Sequence, residues 1–277
     1  MMHVITENDI DALYTKAVLY TSRKGIHVGN TTELSPVSFV REDNTNIDII
    51  SVRDISLSYV IGELLWYFSQ RNDLEFISKF SNYWKLITDD NTTCNSAYGH
   101  IVFKRDYDQL EQVVEILKND RNSRRAIINF NIPNKYREYT KDEICTIALQ
   151  FLVRRDKLDC HVYMRSCDLY TGFPYDYIFF SCLQHMIAKR LNVGVGSYHH
   201  TCTSLHFYDK NIADMERIAI YNLTKNRERY TFNLEQFLLN HTLLYVFARD
   251  LKADRKNMHE ILVNLCKNLK ILEVKDE

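Results

Sequence analysis

Apolar and polar positions alternate along two adjacent stretches near the middle of the chain, and that pattern is the clearest structural signal in it. In CTIALQFLVRRDKLDCHVYMRSC, residues 145–167, Ile147, Leu149, Phe151 and Val153 alternate with Thr146, Ala148, Gln150 and Leu152. After the polar turn Arg154–Lys157, Leu158, Cys160, Val162 and Met164 alternate again. A period of two on both sides of a short polar turn predicts a β-hairpin. With Arg155 and Asp156 as a two-residue loop, Cys145 falls opposite Ser166 and beside Arg165.

Helical spacing appears elsewhere. Leu110, Val113, Val114 and Leu117 stand at i, i+3, i+4 and i+7, which predicts a helix over 108–118. Residues 7–18 predict a short amphipathic helix, and 177–191 a mostly buried one. Pro36–Val40, the run 126–131 and the run 201–208 predict strands. Residues 54–68 are strongly apolar, with Glu63 set in the middle. The part from 233 to 272 has helical patterns and few chemical signals. Strands and helices are interspersed with no clear boundary, which predicts a single α/β domain over residues 1–277.

Composition narrows the function classes. The chain has 277 residues, 45% apolar and 26% charged, with only 7 Gly and 3 Pro. That suits a well-buried core without long linkers. A formal net charge of -1 gives no basic excess, so polymeric nucleic acid is not an expected partner. Neither a signal pattern nor a membrane span is apparent. The seven cysteines are odd in number and lack a CxxC pair, which speaks against a disulfide framework or a metal site and fits a reducing cytoplasm.

A few residues carry candidate chemistry. Most lone cysteines are packing residues, but Cys145 follows the charged run KDEI and should stand near Arg165. A neighbouring cation lowers a thiol pKa and raises its thiolate fraction. Cys167 lies close enough to be a rival. Arg124 and Arg125, after Ser123, and Arg165 beside Ser166 pair guanidinium with hydroxyl, a combination suited to phosphate oxygens. Glu63 either marks a helix boundary or is buried for proton transfer. Asp176 ends DLYTGFPYD and either caps the following helix or serves a ligand. His206 and Tyr208 share a strand face, fit for a sugar hydroxyl or for plain packing. His199 and His200 have no metal-like spacing to other ligands and read as surface.

Taken in order, GELLWYF at Glu63, NYW at Trp84, NSAYG at Tyr98, NSRR at Arg124–Arg125, Cys145 followed by QF, MRSCD, TGFPYD and SLHFY resemble the thymidylate synthase superfamily from about Glu63 to Tyr208. The resemblance implies an α/β (α+β) fold with a large mixed sheet packed by helices, one sheet face serving a homodimer. It implies a nucleoside monophosphate substrate and 5,10-methylenetetrahydrofolate as cofactor. Cys145 would add to pyrimidine C6, with Glu63, Tyr98 and Asp168 assisting. Arg165 and Ser166, with Arg124 and Arg125 from the partner copy, would hold phosphate. His206 and Tyr208 would hold the sugar, and Trp84, Asp168 and Gly172 would line the folate side. Arg23 in TSRKG would stand in for an N-terminal phosphate arginine.

Two departures shift the expected substrate. The synthases have His directly after the cysteine and Asn where Asp176 stands; here Thr146 follows Cys145. Both changes resemble the deoxycytidylate hydroxymethylases of phages. An amide donates and accepts, matching uracil, whereas an ionised carboxylate only accepts, matching the cytosine amino group. Residues 209–277 read as largely helical and unlike the synthases' closing tail, which favours water over hydride as the final reactant.

Overall fold

The computed structural model describes residues 2–104, 106–130, 140–221, 228–251 and 255–275. In chain order its elements are β1 (His3–Thr6), α1 (Ile10–Lys24), β2 (Ile26–Val28), β3 (Thr31–Leu34), β4 (Val37–Arg41), β5 (Asp48–Ile49) and α2 (Leu57–Phe68). Next come α3 (Leu74–Ile77), α4 (Tyr83–Ile87), α5 (Tyr98–Val102), α6 (Gln109–Asn119), β6 (Ile127–Asn129), β7 (Thr146–Arg154) and β8 (Lys157–Asp168). The chain continues with α7 (Phe173–Leu191), β9 (Gly194–Tyr208), α8 (Ile212–Tyr221), β10 (Tyr230–Phe232), α9 (Leu234–Asp250), α10 (Arg255–Asn268) and β11 (Leu272–Val274).

The main sheet runs β1-β4-β9-β8-β7-β6, with β3 also on β9 and β2 on β3. It is mixed: β8 and β9 are parallel, β7 and β8 antiparallel. The parallel pair needs a crossover, and α7 supplies it, buried along most of its length. A crossover of this kind leaves a crevice beyond the carboxyl ends of its strands. Asp168 ends β8, and its register partner on β9 is His206. Because β7 runs antiparallel to β8, its first residues arrive at the same end.

Arg155 and Asp156 both take positive φ, 50° and 60°, so the predicted two-residue loop is a tight turn matched to strand twist. The register predicted from that loop holds as far as Ala148 opposite Tyr163. A bulge then shifts it by one, and Thr146 faces Met164. Cys145 therefore lies opposite Arg165, not Ser166, and its carbonyl accepts from Arg165 N at 3.0 Å. Alternation alone does not reveal one extra residue in a strand.

Other boundaries also move. The predicted helix over 7–18 starts later, where Asp9 accepts from Ala12 N at 3.0 Å, and runs to Lys24. Strand β9 begins at Gly194, well before the predicted 201, since two glycines and two histidines hide its pattern. His200 is wholly buried, contrary to the surface reading, because it shares the inward face of β9 with Tyr198 and Cys202. Burial pushes its pKa down to about 3, and its Nδ1 meets Tyr198 Oη at 3.0 Å. In the C-terminal part, β10 and β11 join β5 in a small second sheet that the helical patterns did not suggest.

Behind the crevice lies an aromatic cluster. Tyr67 stacks on Tyr98 with ring centroids 5.8 Å apart, and Tyr98 on Phe180 at 5.7 Å. Gly99 makes this closeness possible: a Cβ there would stand 2.1 Å from the Tyr67 carbonyl oxygen. Through that contact α5 lies on α2, and Tyr98 shares a cavity with Glu63.

Candidate active site

A cavity of about 300 Å³ opens at the carboxyl ends of β8 and β9. It is lined by Cys145, Glu63, Asp168, Tyr98, Arg165, Ser166, Asp176, His206, Tyr208, Trp84 and Gly172. Eleven residues singled out from separate stretches of sequence thus converge on one space. Arg23, Arg124 and Arg125 do not line it within one chain. All three are exposed, Arg23 in the last turn of α1 and the pair before the edge strand β6.

Arg165 is locked to the approach of Cys145. Its Nε donates to Ile144 O at 3.0 Å and its Nη2 to Glu143 O at 2.9 Å. The same Nη2 stands 3.7 Å from Cys145 Sγ. The thiol pKa is nevertheless pushed up to about 11, not lowered. Burial is the first cause; Arg165 opposes it, but Asp176, Asp142 and Asp168 add to it. The expected thiolate-favouring setting is thus overturned by four disfavouring influences against one cation. Cys167, the rival, is buried and hydrogen-bonded with Cys202, and its pKa is raised. Thr146, behind Cys145, donates from Oγ1 to Tyr98 Oη at 2.9 Å.

Glu63 is buried inside α2 and does not mark a helix boundary. Burial pushes its pKa up to about 8, Tyr59 pulls it down by a hydrogen bond, and Asp176 pushes it further up. Tyr59 Oη donates to Glu63 Oε1 at 2.6 Å, and Tyr67 Oη to the same oxygen at 3.4 Å. Trp84 Nε1 donates to Tyr59 Oη at 3.0 Å.

Asp176 lies in the first turn of α7, whose capping residue is Gly172, so the capping alternative does not hold. Desolvation, followed by the charge on Asp168, pushes its pKa up to about 7. At neutral pH both forms are populated, whereas the expectation above took the carboxylate as ionised. Asp168 itself accepts from Tyr170 N at 2.7 Å and from the Thr171 hydroxyl.

Several lining residues escaped the sequence reading: Tyr59, Tyr67, Tyr83, Asp142 and Tyr175 among them. Tyr59 and Tyr67 sit four residues either side of Glu63, so helix arithmetic alone would have found them. Asp142, buried and accepting from Ser96 N at 3.1 Å, lies three residues before Cys145. The lining carries Arg165 and Lys141 against Glu63, Asp142, Glu143, Asp168 and Asp176. The described residues of one chain therefore offer little positive charge to a phosphate.

Comparisons with known proteins bear on this arrangement. The family model described as thymidylate synthase matches residues 10–241. That extends beyond the stretch Glu63–Tyr208 at both ends. A thymidylate synthase of Vesicomyosocius okutanii subsp. Calyptogena okutanii is 27% identical over 222 residues, 74% of this chain and 82% of that one. One of Buchnera aphidicola subsp. Baizongia pistaciae is 26% identical over 177 residues, 61% of this chain and 66% of its own length. The solved thermostable thymidylate synthase A from Bacillus subtilis superposes with a TM-score of 0.66 at 21% identity, covering 82% of this chain and 89% of that one, and so shares the fold. With a family match across most of its length and a cysteine-centred cavity at the strand ends, the chain belongs to the thymidylate synthase family.

Proposed function

We propose that the chain is a cytidylate 5-hydroxymethylase, with dCMP as the preferred substrate. Cytidylate, a methylene-bearing folate and water would give 5-hydroxymethylcytidylate and tetrahydrofolate. The observation that carries this reading is the carboxyl group of Asp176 lining the cavity with Cys145. In ionised form it accepts only: it suits the N4 amino group of cytosine and repels O4 of uracil, at a cost of about 1–3 kcal/mol when buried.

Cys145 would add to C6 as the thiolate, making C5 nucleophilic. Arg165 and Ser166 would hold the phosphate, and His206 and Tyr208 the sugar. Trp84, Ile87, Gly172 and Asp168 all line the cavity, and as one wall they would offer a pterin an aromatic face and its amino group a carboxylate acceptor. The folate held there would supply a one-carbon unit at the methylene level. Glu63, with its raised pKa, would hold and move a proton near neutral pH. Among the described residues none after Tyr208 lines the cavity, which supports access of water to the transferred carbon. The shortage of positive charge among the described lining residues supports a homodimer in which Arg124 and Arg125 of a second copy complete the phosphate site.

Thymidylate synthesis is the competing reading, favoured by the names of the relatives. Incubation with methylenetetrahydrofolate and, separately, dCMP, CMP and dUMP, followed by mass measurement of the products, separates the two. Hydroxymethylated dCMP is the expected result. Hydroxymethylated CMP in preference would move the substrate to the ribonucleotide, and methylated dUMP would refute the proposal.

A further inference from the structure

We propose that Tyr59 is a positioning residue, the middle of a one-way hydrogen-bond relay that runs from Trp84 through its hydroxyl to Glu63 and decides which carboxyl oxygen of Glu63 carries the proton. Three contacts carry this. Trp84 Nε1 is 3.0 Å from Tyr59 Oη, Tyr59 Oη is 2.6 Å from Glu63 Oε1, and Tyr67 Oη is 3.4 Å from the same Oε1.

Direction follows from donor chemistry. An indole N–H can only donate. It therefore occupies a lone pair of the Tyr59 oxygen and leaves that hydroxyl its own hydrogen to give. Glu63 Oε1 is where it goes, and the second phenol, from Tyr67, points there as well. An oxygen that accepts two O–H donors acts as the carbonyl oxygen of a protonated carboxyl. The proton of Glu63 then resides on Oε2, the atom left for the cavity that Glu63 lines. Consecutive donors in a low-dielectric setting also polarise one another, so loss of the indole weakens the phenol's bond to the carboxyl.

The local sequence makes the arrangement rigid. Tyr59 and Glu63 are one helical turn apart on α2, so the bond costs no loop ordering. The Tyr59 ring packs edge-on against Tyr175, with centroids 4.7 Å apart, and Trp84 packs on Trp66 at 5.2 Å. Trp84 belongs to the wall assigned to the folate, so the relay joins that wall to the proton carrier.

The relay rests on the one-carbon reading for the identity of the reaction, but its hydrogen bonds can be read in the protein alone. The carboxyl band of Glu63, assigned by its disappearance in Glu63→Gln, is followed by infrared difference titration of the substrate-free protein. Because the Tyr59 bond favours the ionised carboxyl, Tyr59→Phe should raise the Glu63 titration by about one pH unit. Trp84→Phe should raise it by less. In turnover, Tyr59→Phe should lower kcat about tenfold, change KM for nucleotide less than about twofold, and move the alkaline limb of the pH profile upward by the same unit. An unchanged Glu63 titration in Tyr59→Phe overturns the proposal. A shift in Tyr59→Phe with none in Trp84→Phe overturns the relay's direction. A parent protein inactive with every nucleotide refutes the reaction reading, whereas shifted titrations in that same protein would still uphold the relay. Should Tyr59→Phe fail to fold, Trp84→Phe alone decides, since it acts from the other end of the chain of bonds.

Discussion

Arg165 Nη2 stands 3.7 Å from Cys145 Sγ while that guanidinium also donates to the carbonyls of Glu143 and Ile144, the two residues before the cysteine. The cation is thereby fixed to the backbone that carries the thiol. It holds the Cys145 pKa down against burial and three carboxyl groups. With that pKa at about 11, the thiolate fraction of the free protein at pH 8 is small and grows with pH. Alkylation of Cys145 by iodoacetamide, followed by peptide mass spectrometry, should accelerate from pH 7 to 10 without a plateau. Arg165→Gln should slow it about tenfold at pH 8. A plateau below pH 8 would show a thiolate already formed. Cys145→Ser should abolish turnover with the fold kept, and residual turnover would remove Cys145 as the nucleophile.

Base choice should depend on pH. The Asp176 pKa is raised to about 7, so the ionised, uracil-repelling form grows as pH rises from 6 to 8. A neutral carboxyl donates and accepts and so tolerates either base. The ratio of kcat/KM for dCMP over dUMP should therefore rise with pH across that window. Asp176→Asn should flatten the profile and shift the ratio toward uracil by about tenfold or more. Equal ratios in parent and variant would exclude Asp176 as the base reader.

Much of this site is legible in sequence because its residues are carried by rigid, patterned elements. Cys145, Arg165 and Asp168 belong to a hairpin whose alternation and turn are plain, and Glu63 stands out against an apolar helix. What escapes is the part set by non-local geometry. The bulge between Thr146 and Ala148 changes which residue faces Cys145, and no periodicity marks it. The thiol's raised pKa depends on Asp142, Asp168 and Asp176, brought together from three segments. His200 looked polar and external, yet the sheet register buries it between Phe39 and Phe173.

Stability should fall between mildly acidic and alkaline pH on account of Glu63. Its folded pKa of about 8 lies above the ordinary carboxyl value of 4.5, so the folded state holds a proton that the unfolded state releases between them. Folding then binds protons, and stability declines as pH rises through that window. Glu63→Gln removes the Glu63 share of the dependence and leaves the share from Asp176, whose pKa is likewise raised, to about 7; the variant should be more stable than the parent at pH 8, by about 2 kcal/mol or more, while losing turnover. Denaturant melts at pH 5 and pH 8 measure this. A parent whose stability is the same at both, or a variant no steadier at pH 8, would contradict the buried, proton-holding state of Glu63.

Completion of the site by a second copy makes a prediction about mixtures. Arg124 and Arg125 are exposed beside the edge strand β6 and do not reach the cavity of their own chain. If a partner's phosphate site receives them, an Arg124→Ala, Arg125→Ala chain lacks phosphate binding only in the neighbour's site, while a Cys145→Ser chain lacks the nucleophile only in its own. Each inactive homodimer has two defective sites. A hybrid gathers both defects in one site and leaves the other whole. After unfolding together and refolding at equal amounts, half the dimers should be hybrids with one good site each, which gives about a quarter of parent activity. Activity no higher than the sum of the separate variants would place the two arginines outside any shared site. Light scattering of each variant alone, showing a dimer, guards against loss of association as the cause.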